Sequence, residues 1–429
     1  MSLFGWFRGR GNKVKASKIV GNVVVGGNTG IIYQSFGGGP PPAPPTVNWA
    51  ALPPQGTPFE YFNLLSWKCR LAPELIGRDK EAAELTNWAR TGPRMRIRFL
   101  VGPGGAGKTR LAAEVAETLR KDGWYAGFTP LEQSVTLPLG PGGLFLLIDY
   151  PEAWREQVRS LLREVARKEK PAAPIRILLL SRRPLSEWQD DIIQCGAAQL
   201  CDAQEISIGQ LDPDLALTLF KTVASRLAEH RKRPALRFDD TAIVRWLAAN
   251  SELYSLPLLI TAGAIHFVDF PDATLDIRGV DIIGALVGRE RAQLDRVGRN
   301  AGWGNHAASR LIGLAALRDS LDEATLRRLA NPDLEIGLPE PTQVVDEVRH
   351  HLGRDESRGL TAPGPDIVAA ELLRQMLTEG GDRSPEWVWE TLAEPGAVQI
   401  ELLDRRIHDL SITHKLRHSK SQLDIGEAG

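Results

Sequence analysis

Eight consecutive residues, Gly102-Pro103-Gly104-Gly105-Ala106-Gly107-Lys108-Thr109, carry the clearest chemistry in this chain. Glycines at 104, 105 and 107 let the backbone curl until successive N–H groups converge on a polyphosphate, while Lys108 reaches its β and γ oxygens and Thr109 ligates Mg²⁺. A glycine-rich turn with a purely structural purpose needs neither that lysine nor that threonine. Such a loop must leave a strand and open a helix. Ile97, Phe99, Leu100 and Val101 supply the strand, and Leu111, Val115 and Leu119 recur at helical spacing after the loop. The candidate nucleotide contacts are Gly102, Gly104, Gly105, Ala106, Gly107, Lys108, Thr109 and Arg110, with ATP or ADP and Mg²⁺ as expected ligands.

The acid and cation that complete such a site must come from strand ends. In Leu144-Phe145-Leu146-Leu147-Ile148-Asp149, the unbroken apolar run means burial on both faces of a parallel sheet, which delivers Asp149 to the sheet edge and, with Thr109, to the metal. Directly after it stands Tyr150, and a tyrosine hydroxyl, with an ordinary pKa of about 10, is a poor base. The nearest further acid is Glu152. Either Glu152 polarises the attacking water, or turnover is slow and the chain works mainly as a nucleotide-dependent switch. A third buried strand, Ile175 to Leu180, ends in Ser181-Arg182-Arg183-Pro184. Ligands bind at that edge of open α/β sheets, so Arg182 is read as nucleotide-facing. Lys108, Asp149, Glu152 and Arg182 are therefore the catalytic candidates. Gln204 to Ile208 reads as a further strand, and Asp212-Pro213 starts a helix over Leu215 to His230, where the sheet ends.

The rest of the chain reads as helical. Ala307 to Leu329 and Val344 to Leu377 read as short amphipathic helices, with a small β-wing at Leu360 to Pro365 and a closing helix at Asp366 to Met376, which fits a winged helix. The uncharged run Leu253 to Val268 falls short of the ~20 residues that span a bilayer and reads as a buried helix. Arg231-Lys232-Arg233, the dense basic patch of this half, reads as a solvated helix end.

Ahead of the loop the composition changes. Ile19 to Phe36 joins two β-branched runs through a glycine-rich connection and reads as a hairpin. Two strands are marginal alone, and the segment carries no charge from Val20 to Phe36, which suits edge-to-edge stacking or docking on a neighbour. Pro at 40, 41, 42, 44, 45, 53, 54 and 58 then predicts an extended linker. A formal net charge of −1 over 429 residues implies neither a nucleic-acid nor a membrane partner by bulk electrostatics. Cys69, Cys195 and Cys201 are too few and wrongly spaced for a disulfide framework or a zinc site, and the eight histidines form no metal-ligand pattern. Core thiols in a reducing compartment are the expectation. Apolar Met1 to Phe7 precedes Arg8, Arg10 and Lys13, the reverse order of a secretory signal, so a cytoplasmic location is expected.

The predicted fold class is thus α/β: a P-loop NTPase parallel sheet with helices on both faces, followed by a helical lid and a winged-helix-like region, with a short N-terminal β-hairpin. The boundaries read as 1–38 for the tail and hairpin, 39–69 for the linker, 70–210 for the NTPase core, 211–300 for the lid, 301–385 for the winged-helix-like domain and 386–429 for a helical tail.

Several of these features together resemble a bacterial STAND-type NTPase, AAA-like and related to the NACHT and NB-ARC groups, over residues 70 to about 380. Leu75-Ile76-Gly77-Arg78-Asp79 resembles the Gly-Arg box that opens such domains. The resemblance implies that Ile76, Gly77 and Arg78 lie against the base, ribose or phosphates. It also implies that Arg182, after Ser181, senses the γ-phosphate, and that Pro257 approaches the base as in the Gly-x-Pro motif of STAND lids, although Ser255 and Leu256 replace the glycine. AAA-type hydrolases carry a glutamate where this chain has Tyr150. Gly21-Asn22 to Gly30 looks like the short amyloid signalling motifs of bacterial and fungal immune-type NTPases. The implied function is a nucleotide-dependent signalling switch in bacterial defence. It forms homo-oligomers in its active state and recruits an effector or adaptor through the hairpin. Two alternatives remain: an AAA-type ATPase acting on DNA through its winged helix, and an adaptor that binds ATP without hydrolysing it.

Overall fold

The computed structural model describes residues 44–129, 139–167, 171–249, 256–271, 279–353 and 359–379, together with Val388 and Thr391. The expected hairpin at 1–38 and nearly all of the tail at 386–429 lie outside these residues.

A five-stranded parallel sheet forms the first half, in the order β2-β3-β4-β1-β5. Its strands are β1 (Met95–Val101), β2 (Trp124–Phe128), β3 (Gly143–Asp149), β4 (Ile175–Ser181) and β5 (Ile206–Ser207). The central strand β4 is buried at every position, as expected of a continuous apolar run covered on both faces. Successive side chains along a strand point to opposite faces. Leu100, Phe145, Leu147, Leu178 and Leu180 accordingly pack with Leu85 and Trp88 of α2 (Asp79–Arg90) and Leu111, Val115 and Leu119 of α3 (Lys108–Lys121). Phe99, Leu144, Leu146, Ile148, Ile177 and Leu179 pack on the other face against Val158, Leu161 and Leu162 of α4 (Arg155–Arg167) and Ile192 of α5 (Gln189–Gln194). This is the predicted α/β fold class, with one strand, β2, that the sequence reading did not identify.

The linker expected over 39–69 is corrected where it is described. Thr46 forms an antiparallel bridge to Phe128 on the outer strand β2, Val47 is buried, and Trp67 packs between Trp49 and Phe128. Phe62, Leu64 and Leu65 of α1 (Glu60–Leu65) are buried among the helices of the second half. The prolines do keep stretches of this segment extended, but the aromatic and leucine residues between them offer apolar surface whose burial outweighs independence. Residues 44–69 are a strap, sealed to the domain it precedes.

Beyond the sheet the helices are α6 (Pro213–His230), α7 (Asp240–Ala249), α8 (Pro257–Asp269), α9 (Gly279–Asn300), α10 (Ala307–Arg318), α11 (Glu323–Leu329), α12 (Val344–Leu352) and α13 (Asp366–Glu379). The expected buried helix is α8. Between α10 and α11 lies β6 (Ser320–Leu321), which pairs antiparallel with β7 (Leu360–Thr361), the strand read as a wing. One apolar cluster runs from α1 through α6, α8, α9, α10 and α12 to α13, so these helices share a core.

The basic patch at 231–233 is not a solvated helix end. The Arg231 side chain is 1 % exposed and pairs with Glu60 of α1 and Asp269 of α8. Arg233 pairs with Asp269 as well, at 3.2 Å. From α9, the buried Glu290 accepts the backbone N–H groups of Phe59 and Tyr61. Charges that look surface-bound in sequence are buried here because the strap brings its own carboxylate and its uncapped helix start to them.

Candidate nucleotide-binding site

The loop leaves the carboxyl end of β1 and enters α3 with Gly105 and Gly107 at φ 81° and 92°, the left-handed region that side chains with a Cβ disfavour. Gly102 is required for a different reason: a Cβ there would sit 2.3 Å from the Ile208 carbonyl oxygen. The start of α3 presents free N–H groups and the positive end of a helix dipole to the loop. Lys108 lies inside the loop, with Nζ donating to the carbonyls of Gly102 at 2.7 Å and Pro103 at 3.1 Å. Burial, helped by the charge of Arg182, pushes its ammonium down to about 8, while Asp149, Glu152 and Asp366 pull the other way. Four charges thus converge on one lysine.

Thr109 donates from Oγ1 to Asp149 Oδ2 at 2.9 Å. That oxygen pair, one hydroxyl and one carboxylate, has the hard-donor chemistry Mg²⁺ prefers and leaves room for phosphate and water ligands. The expected metal residues are therefore brought together. Tyr150 comes next in a left-handed conformation, φ 53°, and its ring lies 5.8 Å from the Arg182 guanidinium.

Glu152 is buried and hydrogen-bonded to the end of β4. Its Oε1 accepts from Ser181 Oγ at 2.5 Å, from the Arg182 N–H at 2.8 Å and from the Arg183 N–H at 3.3 Å. Tyr150 and Ala153 line the cleft and Glu152 does not.

Arg182 extends over the loop: a Cβ on Gly104 would come within 3.0 Å of its Nη2. The same Nη2 pairs at 2.8 Å with Asp366, the first residue of α13. Sequence reading missed Asp366. It stands 184 positions from Arg182, and an acid opening a helix normally signals no more than dipole compensation.

The Gly-Arg box reaches the loop from the other side. Arg78 donates to the carbonyls of Ala106 and Gly209 and lies 3.5 Å from Glu81. Burial holds its guanidinium below the usual arginine range, partly offset by Glu81. Gly77 takes φ 69° under Leu211 and Leu215, and Ile76 packs against the helical core. Pro257 opens α8 beside the loop. The next residue, Leu258, donates its N–H to the Gly105 carbonyl at 3.2 Å, and Pro257 Cγ would lie 3.9 Å from a Cβ at Gly107.

Arg110 is redirected relative to expectation. Its guanidinium binds the carbonyls of Trp67, Ala72 and Pro73, pairs with Glu114 at 2.7 Å and faces the Trp49 ring. Its Nη1 and Nη2 are taken up by carbonyls at the end of the strap and just after it, Trp67 to Pro73, which run along the side of α3. His350 and His351 stand together at the end of α12, where His351 pairs with Glu347 at 3.3 Å.

One cavity of about 1520 Å³ is lined by the loop, Ile76, Arg78, Asp149, Tyr150, Arg182, Pro257 and Asp366. Sheet edge, lid and C-terminal helices therefore all contribute to a single site. No helix among the described residues is long and apolar enough to cross a membrane.

Residues 74–265, a little under half of the chain, match the AAA ATPase domain family, a match that supports a P-loop NTPase domain over this portion. A search of curated proteins gave no match. Among solved structures, a Walker-type ATPase of Pyrococcus abyssi aligns at 14 % identity over 72 % of this chain and 99 % of its own, with a TM-score of 0.38. The ORC2 protein of Aeropyrum pernix, solved with ADPNP and ADP, aligns at 13 % identity over 80 % and 96 %, with a TM-score of 0.34. NtrX of Brucella abortus, solved with ADP, aligns at 17 % identity over 53 % and 63 %, with a TM-score of 0.31. Scores this low add nothing on function.

Proposed function

We propose that this AAA-type domain is the engine of a STAND-like switch. It binds ATP or ADP with Mg²⁺, hydrolyses ATP slowly, and converts the identity of the nucleotide into release or docking of its C-terminal helices. The observation that carries this reading is the Arg182–Asp366 ion pair, 2.8 Å long, which joins the strand end above the loop to the start of α13. A γ-phosphate added beside Gly104 competes with Asp366 for the same guanidinium and repels the carboxylate. ADP lacks that group. The two nucleotides therefore differ in their interaction with the docked arrangement, which is the requirement for shifting a conformational equilibrium.

Thr109 and Asp149 are the residues that would hold Mg²⁺, which supplies charge neutralisation at the β and γ oxygens. Lys108 and the loop N–H groups bind the phosphates, Arg78 braces the loop from behind, and Pro257 with Ile76 closes the base side. Tyr150 in place of a carboxylate favours slow turnover. In this reading the released state forms homo-oligomers in the cytoplasm, and the N-terminal hairpin recruits an effector or adaptor, in a defence pathway. A DNA-acting role gains no support from α12, where Asp346 and Glu347 offset Arg349 on the helix a winged domain would insert.

Sedimentation of the full chain with Mg²⁺ and either ADP or a slowly hydrolysed ATP analogue tests the switch. The expected result is a small species with ADP and a larger assembly with the analogue, which Asp366→Asn shifts further toward assembly. Identical sedimentation in both nucleotides, for parent and variant alike, overturns it.

A further inference from the structure

The β3–β4 ladder ends where Asp149 faces Leu180. Beyond that point the backbone N–H groups of Arg182 and Arg183 lose their strand partner, and buried donors left unpaired are costly. Glu152 takes over from the strand. It sits on the turn Tyr150 to Trp154, which is closed by the Ala153 N–H to the Tyr150 carbonyl at 3.1 Å, and its Oε1 receives both N–H groups and lies 2.5 Å from the Ser181 hydroxyl oxygen. Ser181 is itself fully buried, and its Oγ also accepts from the Arg183 N–H at 2.9 Å and from Trp188 Nε1 at 3.4 Å. The remaining oxygen, Oε2, is buried without a hydrogen-bond partner among the described residues. A carboxylate that activates water must offer a lone pair to the water. Here one oxygen is committed to the β4 end and the residue does not line the cleft.

We infer that Glu152 is a positioning residue for Arg182, not the base of the hydrolytic reaction. It fixes the backbone from which Arg182 projects, and so sets the guanidinium over Gly104, within reach of either Asp366 or a γ-phosphate. This rests on the proposed reading of Arg182 as the group that distinguishes ATP from ADP. It also assigns no carboxylate of the β3 end to water activation. Slow turnover is then a consequence of the site's own composition and not of a poorly aimed base.

The test uses the full chain with Mg²⁺ and compares Glu152→Gln, Glu152→Leu and Arg182→Ala. Glutamine keeps an acceptor oxygen at the Oε1 position and removes only the ionisable group, whereas leucine keeps the bulk and removes the acceptor. Expected for Glu152→Gln is single-turnover hydrolysis reduced by less than about tenfold with an unchanged pH profile, where loss of a true general base costs about 10²- to 10⁴-fold. Expected for Glu152→Leu is an ATP-over-ADP affinity ratio lowered by about tenfold, within the usual range of coupling between sites, matching Arg182→Ala and no worse when the two are combined. A hundredfold loss in Glu152→Gln with the affinity ratio intact overturns the inference, and so does a Glu152→Leu protein that keeps the ratio while Arg182→Ala loses it. If Glu152→Leu does not fold, the rate and pH profile of Glu152→Gln decide. An Arg182→Ala protein with an unaltered ATP-over-ADP ratio rejects the γ-phosphate reading itself, a failure distinguishable from that of Glu152.

Discussion

Replacing Asp366 by asparagine should make the chain bind ATP more tightly, an unusual result for a substitution at a buried ion pair. Both side chains are largely shielded, 16 % and 12 % exposed, and their closest atoms are 2.8 Å apart. Two unit charges at about 4 Å attract by ~4 kcal/mol at an effective dielectric near 20. Desolvation and side-chain ordering consume much of this, leaving a net coupling of roughly 1–3 kcal/mol. If a γ-phosphate must take Arg182 from Asp366, ATP binding in the parent is weakened by that amount. Asp366→Asn should then strengthen it by roughly 5- to 150-fold, the factor equivalent to that coupling. ADP should gain far less, since it never competes for the guanidinium. Calorimetric titration of parent, Asp366→Asn, Arg182→Gln and the double variant, each with ADP and a slowly hydrolysed ATP analogue, closes the cycle. In Arg182→Gln the benefit of Asp366→Asn should disappear. Equal gains for both nucleotides, or a gain that survives without Arg182, would refute the competition.

Lys108→Ala should weaken both nucleotides by about a hundredfold, the ~3 kcal/mol upper range for a hydrogen bond to a charged group, and unchanged affinity by calorimetry would sink the phosphate-loop assignment. Asp149→Asn should retain measurable ADP binding but lose its enhancement by Mg²⁺; persistence of that enhancement in titrations with and without the metal would point to another ligand. Arg231→Met should lower stability to urea by ~3–5 kcal/mol, because it strands the buried carboxylates of Glu60 and Asp269; a shift under ~1 kcal/mol would mean the network is not energetically closed. Burial raises Glu290 to about 7, above its value in an unfolded chain. Its contribution is therefore fully present below about pH 4.5 and lost as pH rises through about 7, on the order of 3 kcal/mol in all. Unfolding midpoints should fall between about pH 4.5 and 7 in the parent and flatten in Glu290→Gln.

Some of this molecule was readable from short stretches of chain. The apolar runs at 97–101, 144–148 and 175–180 dictate buried parallel strands because no other arrangement covers both faces, and the loop at 102–109 has its conformation written into its glycines. Local sequence therefore determined the buried strands β1, β3 and β4, the phosphate cradle and the Thr109–Asp149 pair, whose members sit at fixed offsets from strand ends, but not the outer strand β2. It did not determine where long side chains spend their hydrogen bonds. Arg110 stands directly after the loop yet serves the strap, Glu152 stands just past the metal acid yet serves β4, and Arg231 looks solvated yet is buried between α1 and α8. Each choice depends on a donor or acceptor brought in from far along the chain, and a buried charged group goes to whichever partner is closest in space, not in sequence. The strap itself shows the same limit, since proline content predicts its extended backbone but not the apolar surface on which it comes to rest. Asp366 is the extreme case: as a residue it announces only the start of a helix, and it becomes part of the nucleotide site because the packing of α13 against the shared helical core sets its carboxylate against Arg182.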